Sequence, residues 1–333
     1  MILVTGGTGL VGSHLLYHLL LENDTVKAIH QKTSDLKAVK NVFSYYTSDF
    51  ENIYNRINWV EADLSNIPML ENAFQSVDKV YHCAALVSLN PADYKKMRKV
   101  NIDGTTNIVN FCISKAVKKL CFVSSIAAVE KNTTDLPTDE SENWNTSIQK
   151  SGYSITKYGA EMEVWRASQE GVDVVIVNPG VILGSGFWQK GTGKMFSQVQ
   201  KGLKFYTEGV NGFVGVKDVV QIMIKLMASN IINERFILVS QNLSFKDVFF
   251  QIADSLNKKR PSFRVTPFLS QIAWRLDVLK SKFTGKAPLM NKETAKTILS
   301  KEYYSSQKIQ SALNYEFEII NKTIKSTCND FLK

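Results

Sequence analysis

Short apolar runs alternate with helix-length amphipathic stretches through the first half of the chain. Residues 2–4 form a strand-length apolar run, and residues 10–21 repeat apolar side chains on a helical period behind a glycine-rich turn. Further apolar runs follow at 25–29, 57–60, 80–82, 120–123 and 174–177, each separated from the next by a helix-length segment. Parallel strands need crossover connections, and helices of this length supply them, so the pattern predicts an α/β protein with a doubly wound parallel sheet. Residues 31–56 are longer and more polar than a minimal crossover, which predicts an extra helix or excursion there.

The pattern changes after Asn178-Pro179-Gly180. Gly184, Gly186, Gly191 and Gly193 crowd together beside Phe187 and Trp188, which reads as a loop over a pocket. Residues 212–216, a helix over 217–228 and an apolar run at 236–239 then predict a return to the first domain. From Ser244 onward the periodicity is mostly helical. The expected division is a nucleotide-binding domain over 1–178 with a return segment at about 212–240, and a smaller substrate domain over 179–211 and 241–333.

Composition narrows the function classes. Of 333 residues, 44% are hydrophobic and 21% charged, ordinary values for a packed globular protein rather than a disordered one. The formal net charge of +9 is spread along the whole chain and forms no stripe, which argues against nucleic acid as the partner and for a phosphorylated small molecule. Cys83, Cys112, Cys121 and Cys328 show no C-x-x-C spacing, so the expectation is reduced thiols and a cytoplasmic location. The first strand begins one residue after Met1, so the expectation is that no targeting peptide precedes it, and no apolar run nears the ~20 residues of a membrane span.

Three motifs carry chemistry. Gly6, Gly9 and Gly12 make G-x-x-G-x-x-G between a strand and a helix, where backbone must approach a pyrophosphate closely and the helix N-terminus can stabilise it. Tyr153 and Lys157 stand four apart at the start of a helix and share one face. Using a phenol as acid or base near neutrality calls for a shift of up to ~3 pH units, roughly 4 kcal/mol, and a neighbouring ammonium contributes part of it. Ser124 and Ser125 follow the strand at 120–123, at the end where open parallel sheets bind ligands, and either hydroxyl can orient a substrate oxygen.

With these motifs the chain resembles the short-chain dehydrogenase/reductase superfamily in its extended, two-domain form. The resemblance runs in order through the glycine turn, Val60 to Leu64, His82 to Ala85, Asn101 to Thr105, Phe122 to Ser125, Tyr153 to Lys157, Asn178 to Gly180 and Phe213 to Asp218. It implies a Rossmann domain that binds NAD(P). Gly6, Thr8, Gly9, Leu10, Val11 and Gly12 would hold the pyrophosphate, Asp63 and Leu64 the adenine side, and Ala84, Ala85 and Pro179 would line the cofactor. Asn101 would support the active site, Lys157 would bind ribose, Tyr153 would transfer the proton, and Ser125, which precedes the small apolar run Ile126 to Val129, would orient the substrate. A homodimer is a further expectation from the family.

Cofactor choice turns on the end of the second strand. An acidic residue there would favour NAD, but the chain reads Ile29-His30-Gln31-Lys32 with no carboxylate until Asp35, so NADP is expected, with Lys32 at its phosphate. Asn178-Pro179-Gly180-Val181-Ile182-Leu183-Gly184, and more softly residues 283–289, resemble dihydroflavonol 4-reductases, related carbonyl reductases and 3β-hydroxysteroid dehydrogenase-like proteins more than nucleotide-sugar epimerases. The expected reaction is hydride transfer between nicotinamide and a carbonyl or alcohol. Epimerisation or dehydration of a nucleotide sugar and non-catalytic NADP sensing are the alternatives.

Blander roles are expected elsewhere. His14 and His18 lie one turn apart without the glutamate of a metalloprotease motif, so packing is expected and no metal. His82 is read as structural. Phe187 and Trp188 either contact substrate or fill the small domain's core. The amphipathic stretch 268–280 is expected to pack on its own domain rather than on a membrane.

Overall fold

The computed structural model describes residues 1–132, 136–142, 144–269, 274–275 and 298–333. The amphipathic stretch around 270–280 falls largely outside the described residues, and residues 283–289 entirely so. The described elements are β1 (Ile2–Thr5), α1 (Leu10–Glu22), β2 (Val26–His30), α2 (Leu36–Ser44), α3 (Phe50–Tyr54), β3 (Ile57–Glu61), α4 (Ile67–Ala73), β4 (Lys79–His82), α5 (Tyr94–Arg98), α6 (Gly104–Ser114), β5 (Lys119–Val123), α7 (Gly152–Gln169) and β6 (Asp173–Pro179). After β6 come β7 (Val181–Leu183), α8 (Gly193–Gln200), β8 (Phe205–Tyr206), β9 (Val210–Gly215), α9 (Val216–Ala228), β10 (Glu234–Leu238), β11 (Gln241–Ser244), α10 (Phe245–Ser255), β12 (Phe263–Arg264) and the helices Gln307–Leu313 and Ile320–Leu332.

Seven strands form one parallel sheet in the order β3-β2-β1-β4-β5-β6-β10. Helices cover both faces, which is why a central strand such as β5 is buried at every residue and reads as a continuous apolar run. One core layer packs α1 and α9 against Val4, Cys121, Val175 and Val177, and the other packs α4, α6 and α7 against Leu3, Val80, Leu120 and Phe122. The predicted excursion over 31–56 is the helix pair α2 and α3.

The return to the main sheet is α9 and β10, which lies beside β6. Residues 210–215, the start of the expected return, form β9, which pairs with β7 and β11 in a separate three-stranded sheet that packs toward a smaller unit. That unit has its own core of Leu183, Phe196, Phe213, Val248, Ile252 and Ile324. No helix among the described residues is long and apolar enough to cross a membrane.

The strand order reverses between β1 and β4, since the chain runs outward from β1 through β2 to β3 and then crosses back. Crevices at the carboxyl ends of strands at such a reversal are where open α/β sheets take ligands. Here the loops after β1, β2, β3 and β4 line a cleft of about 590 Å³.

Candidate active site

The outer half of the cleft is built on the turn after β1. Gly6 has φ +68°, in the left-handed region, and a Cβ there would lie 2.5 Å from the Ala84 nitrogen, so only glycine fits. A Cβ on Gly12 would lie 2.2 Å from the Gly6 oxygen. Gly9 differs: its Cβ would meet only that oxygen, at 3.4 Å, and the position faces the cleft, where a side chain would fill the cradle. Gly9 caps α1 with no side-chain hydrogen bond. The first turn of α1 thus keeps N–H groups for an anion. The cradle fits a dinucleotide pyrophosphate by this measure.

Gly6, Thr8, Gly9, Asp63, Leu64, Ala84 and Ala85 all line the cleft. Leu10, Val11 and Gly12 form the first turn of α1, and Pro179 ends β6 in the buried core. Asp63 accepts hydrogen bonds from Ser65 and from Gln31 Nε2 at 2.6 Å, and the Ser65 bonds are the chief reason its carboxyl sits below the usual range. Lys32 is exposed and is absent from the lining, whereas Gln31 and Ser34 are part of it. Asp35 is occupied as the N-cap of α2, accepting from Ala38 N at 3.1 Å. Lys96 and Lys99 also line the cleft; sequence reading missed them, although the run Lys95-Lys96-Met97-Arg98-Lys99 is a visible signal.

Ser125, Tyr153 and Lys157 come together next to the cleft, outside its lining, at what forms the inner end of the site; Asn101 links them to the lining residue Leu86. Ser151 caps α7 by accepting from Ser154 N at 3.1 Å, which starts the helix one residue before Tyr153 and stacks Tyr153 above Lys157. Lys157 is 1% exposed, donates to the Val123 oxygen at 2.8 Å and lies 4.3 Å from the centre of the Phe122 ring. Burial pushes its ammonium down to about 7, with Glu161 pulling the other way. Tyr153 is half-buried; burial raises its phenol, and the nearby Ser125 side chain partly opposes that.

The two serines separate clearly. Ser124 is buried and donates to Glu161 Oε2 at 2.7 Å, while Ser125 is only half-buried and meets Tyr153. Asn101 lies in a π-helical turn over Lys99–Asp103, an insertion that often marks functional positions. Its side chain exchanges hydrogen bonds with the Leu86 backbone at 2.7 and 3.0 Å and donates to Thr156 Oγ1 at 3.1 Å, bracing the loop after β4 against α7. His82 is clamped between Thr5 at 2.6 Å and Thr105 at 2.9 Å, and burial pushes it down to about 3, so it is neutral and structural.

Other candidates lie elsewhere. Both ring nitrogens of His14 are hydrogen-bonded, to Tyr46 at 2.5 Å and to the Ser185 oxygen at 2.9 Å. Trp188 packs edge-on against Phe196 and Phe331 and donates to Tyr45 at 3.2 Å, so it fills the small unit's core instead of lining the cleft. Phe187 takes φ +56° at the corner of the glycine-rich loop.

A parallel sheet with a glycine cradle at its strand reversal and a Ser, Tyr, Lys cluster at the inner end defines a dinucleotide-binding Rossmann enzyme. The model of the NAD-binding family described as Male sterility protein matches residues 4–243, and the chain belongs to that family, within the extended short-chain dehydrogenases/reductases. Among curated relatives it is similar to Sterol demethylase protein B of Methylococcus capsulatus, at 27% identity over 84% of this chain and 82% of that one. It is also similar to Tetraketide alpha-pyrone reductase 2 of Arabidopsis thaliana, at 31% identity over 66% of this chain and 71% of that one. The solved structure of gox2253 shares the fold, with TM-score 0.81 and 24% identity across 100% of this chain and 98% of that one. The protein is an NAD-dependent enzyme of the reductase, dehydratase and epimerase group.

Proposed function

We propose that the protein is a carbonyl reductase that takes a small-molecule aldehyde or ketone, or oxidises the corresponding alcohol, with NADP(H) as its preferred cofactor. The observation that carries this reading is that Tyr153 stands one helical turn before a buried Lys157 and beside Ser125, next to the dinucleotide cleft. A bound nicotinamide supplies the hydride.

Each residue has a physical task. Ser125 donates to the substrate oxygen and holds it beside Tyr153. Tyr153 passes its phenolic proton to that oxygen as negative charge develops there. Lys157, held by the Val123 oxygen, stabilises the resulting phenolate and hydrogen-bonds the ribose hydroxyls. A fixed hydroxyl and a fixed ammonium act strongly in this setting, because the low dielectric of a buried site strengthens each interaction and no reorganisation is needed. Gly6, Gly9 and the first turn of α1 take the pyrophosphate, and Asp63 with Leu64 takes the adenine side.

The NADP preference rests on the end of β2. No carboxylate faces the ribose there, because Asp35 is spent on capping α2 and the wall is Gln31 and Ser34. Two relatives' names, a reductase and a sterol-processing protein, support an apolar carbonyl substrate.

The test is initial-rate oxidation of NADPH and of NADH against aldehydes, ketones and ketosteroids, with Tyr153→Phe in parallel. Turnover that vanishes in the variant while NADPH still binds supports the reading. Wild-type protein that binds cofactor and reduces no carbonyl, yet converts a nucleotide sugar, would replace it with the epimerase or dehydratase reading.

A further inference from the structure

Behind the three reactive side chains lies a carboxylate that the proposed chemistry does not use. Glu161 is 0% exposed. It sits one turn beyond Lys157 on α7, the spacing that places two side chains on the same helix face. Its Oε2 accepts from the Ser124 hydroxyl at 2.7 Å and from Asn178 Nδ2 at 3.0 Å, and its Oε1 accepts from the Arg235 guanidinium at 3.2 Å. Asn178 Nδ2 also donates to the Ser125 backbone oxygen at 3.0 Å. Arg235 reaches on to the backbone oxygens of Glu140 and Glu142. One carboxylate therefore ties together α7, the end of β5, β6, β10 and the loop at 140–142.

A buried anion is costly unless several donors surround it, and here three do, from three different elements. We infer that Glu161 is the positioning residue of this site: it fixes Ser125 through Ser124 and Asn178, and its negative charge holds the buried Lys157 amine in the charged form. The inference rests on the reading of Ser125, Tyr153 and Lys157 as the reacting groups.

The electrostatic surroundings agree. Burial is the main influence lowering Lys157, and Glu161 is the strongest one opposing it. The other titratable groups at β4 and on α7 beside Lys157 supply no anion at neutral pH, and the Glu140 carboxylate lies beyond Arg235. From the end of β4, His82 is pushed down to about 3 and the Cys83 thiol up to about 12. On α7 itself, burial raises the Tyr153 phenol. From β10, Arg235 is engaged by Glu161, and the Glu140 carboxylate beyond it accepts from Ile237 N at 2.6 Å.

The experiment compares wild type, Glu161→Gln and Ser124→Ala between about pH 6 and about pH 9, reading NADPH affinity by fluorescence and carbonyl turnover by absorbance, with a thermal melt of each protein. With the anion gone, Lys157 loses its proton earlier. In Glu161→Gln both curves should fall off on the alkaline side about one pH unit sooner, so that binding and turnover approach wild type near pH 6 and are about tenfold weaker near pH 8. Ser124→Ala keeps the anion, so its loss should be the same factor at every pH. A pH-independent loss in Glu161→Gln, or curves that superimpose on wild type, would overturn the inference. Should Glu161→Gln fail to fold, the double variant Glu161→Gln/Arg235→Met removes the carboxylate with its partner cation, and the alkaline limb should still move to lower pH, by less than in the single variant because a positive charge is lost with it. Wild type that turns over no carbonyl counts against the proposed reaction alone, because the NADPH titration still reports the charge on Lys157.

Discussion

The two ends of the site are built on different terms. At the inner end buried polar groups cross-link the surroundings of Ser125, Tyr153 and Lys157: Ser124 and Asn178 Nδ2 by Glu161, Asn101 by Leu86 and Thr156, His82 by Thr5 and Thr105, with only Asn178 Oδ1 of these groups left without a partner. At the outer end Gln31, Lys32 and Ser34 stand on an exposed turn, joined to the rest by the Gln31–Asp63 hydrogen bond and a long 3.4 Å contact from Thr8 to Ser34. Chemistry needs atoms held in place before the reaction, so it belongs at the locked end. Choice between NAD and NADP needs only a local charge, so it can sit on a turn that changes cheaply.

The largest expected effect tests the locked end. Tyr153→Phe should lower carbonyl turnover by about 10²–10⁴-fold while NADPH affinity, measured by fluorescence, stays within a few-fold of wild type. A matching loss of affinity would mean that Tyr153 holds cofactor instead of moving a proton.

Next in size is the response of the buried histidines to acid, His82 at that end and His14 on α1. Burial lowers His14 to about 4 and His82 to about 3 from an unfolded value of 6.5, so the unfolded chain takes up protons first as pH falls. Their contribution is complete above pH 6.5 and is lost progressively toward their folded values. By about pH 5 each should have lost about 2 kcal/mol, visible as a falling melting temperature between about pH 7 and about pH 5. A melting temperature flat across that window would show that these histidines are not held neutral by the fold.

The outer end should be easier to change. Gln31→Asp places a carboxylate where the ribose 2′-oxygen would lie and should shift the NADPH-to-NADH ratio of kcat/KM by about tenfold toward NADH, with little effect on stability. Lys32→Ala should change the same ratio by no more than about twofold, because the side chain is exposed and outside the cleft lining. A tenfold drop in that variant would instead make Lys32 the phosphate contact and sharpen the NADP assignment.

Much of the site was legible because its signals are local. Gly6, Gly9 and Gly12 sit in one turn, and Tyr153 and Lys157 are one helical turn apart, so spacing alone puts them on a common face. Glu161 carried a signal of the same kind, four residues after Lys157, and was missed because a glutamate on a helix ordinarily faces water. The π-helical turn at Asn101 has no counterpart in spacing and becomes visible only in the backbone hydrogen bonds.

By itself the sequence determined the alternation of strand and helix, the parallel sheet, the phosphate turn and the family, because each follows from periodicity or from residues close along the chain. Tertiary structure alone bonded Ser124 to Glu161 and left Ser125 half-buried, moved residues 210–215 into the small sheet and drew Trp188 into the small unit's core. It also set Glu161 between Lys157 and Arg235. The reason is physical: each of these outcomes depends on which distant group claims a hydrogen bond or a packing surface, and partners separated by 17 to 143 positions meet only after the sheet has formed.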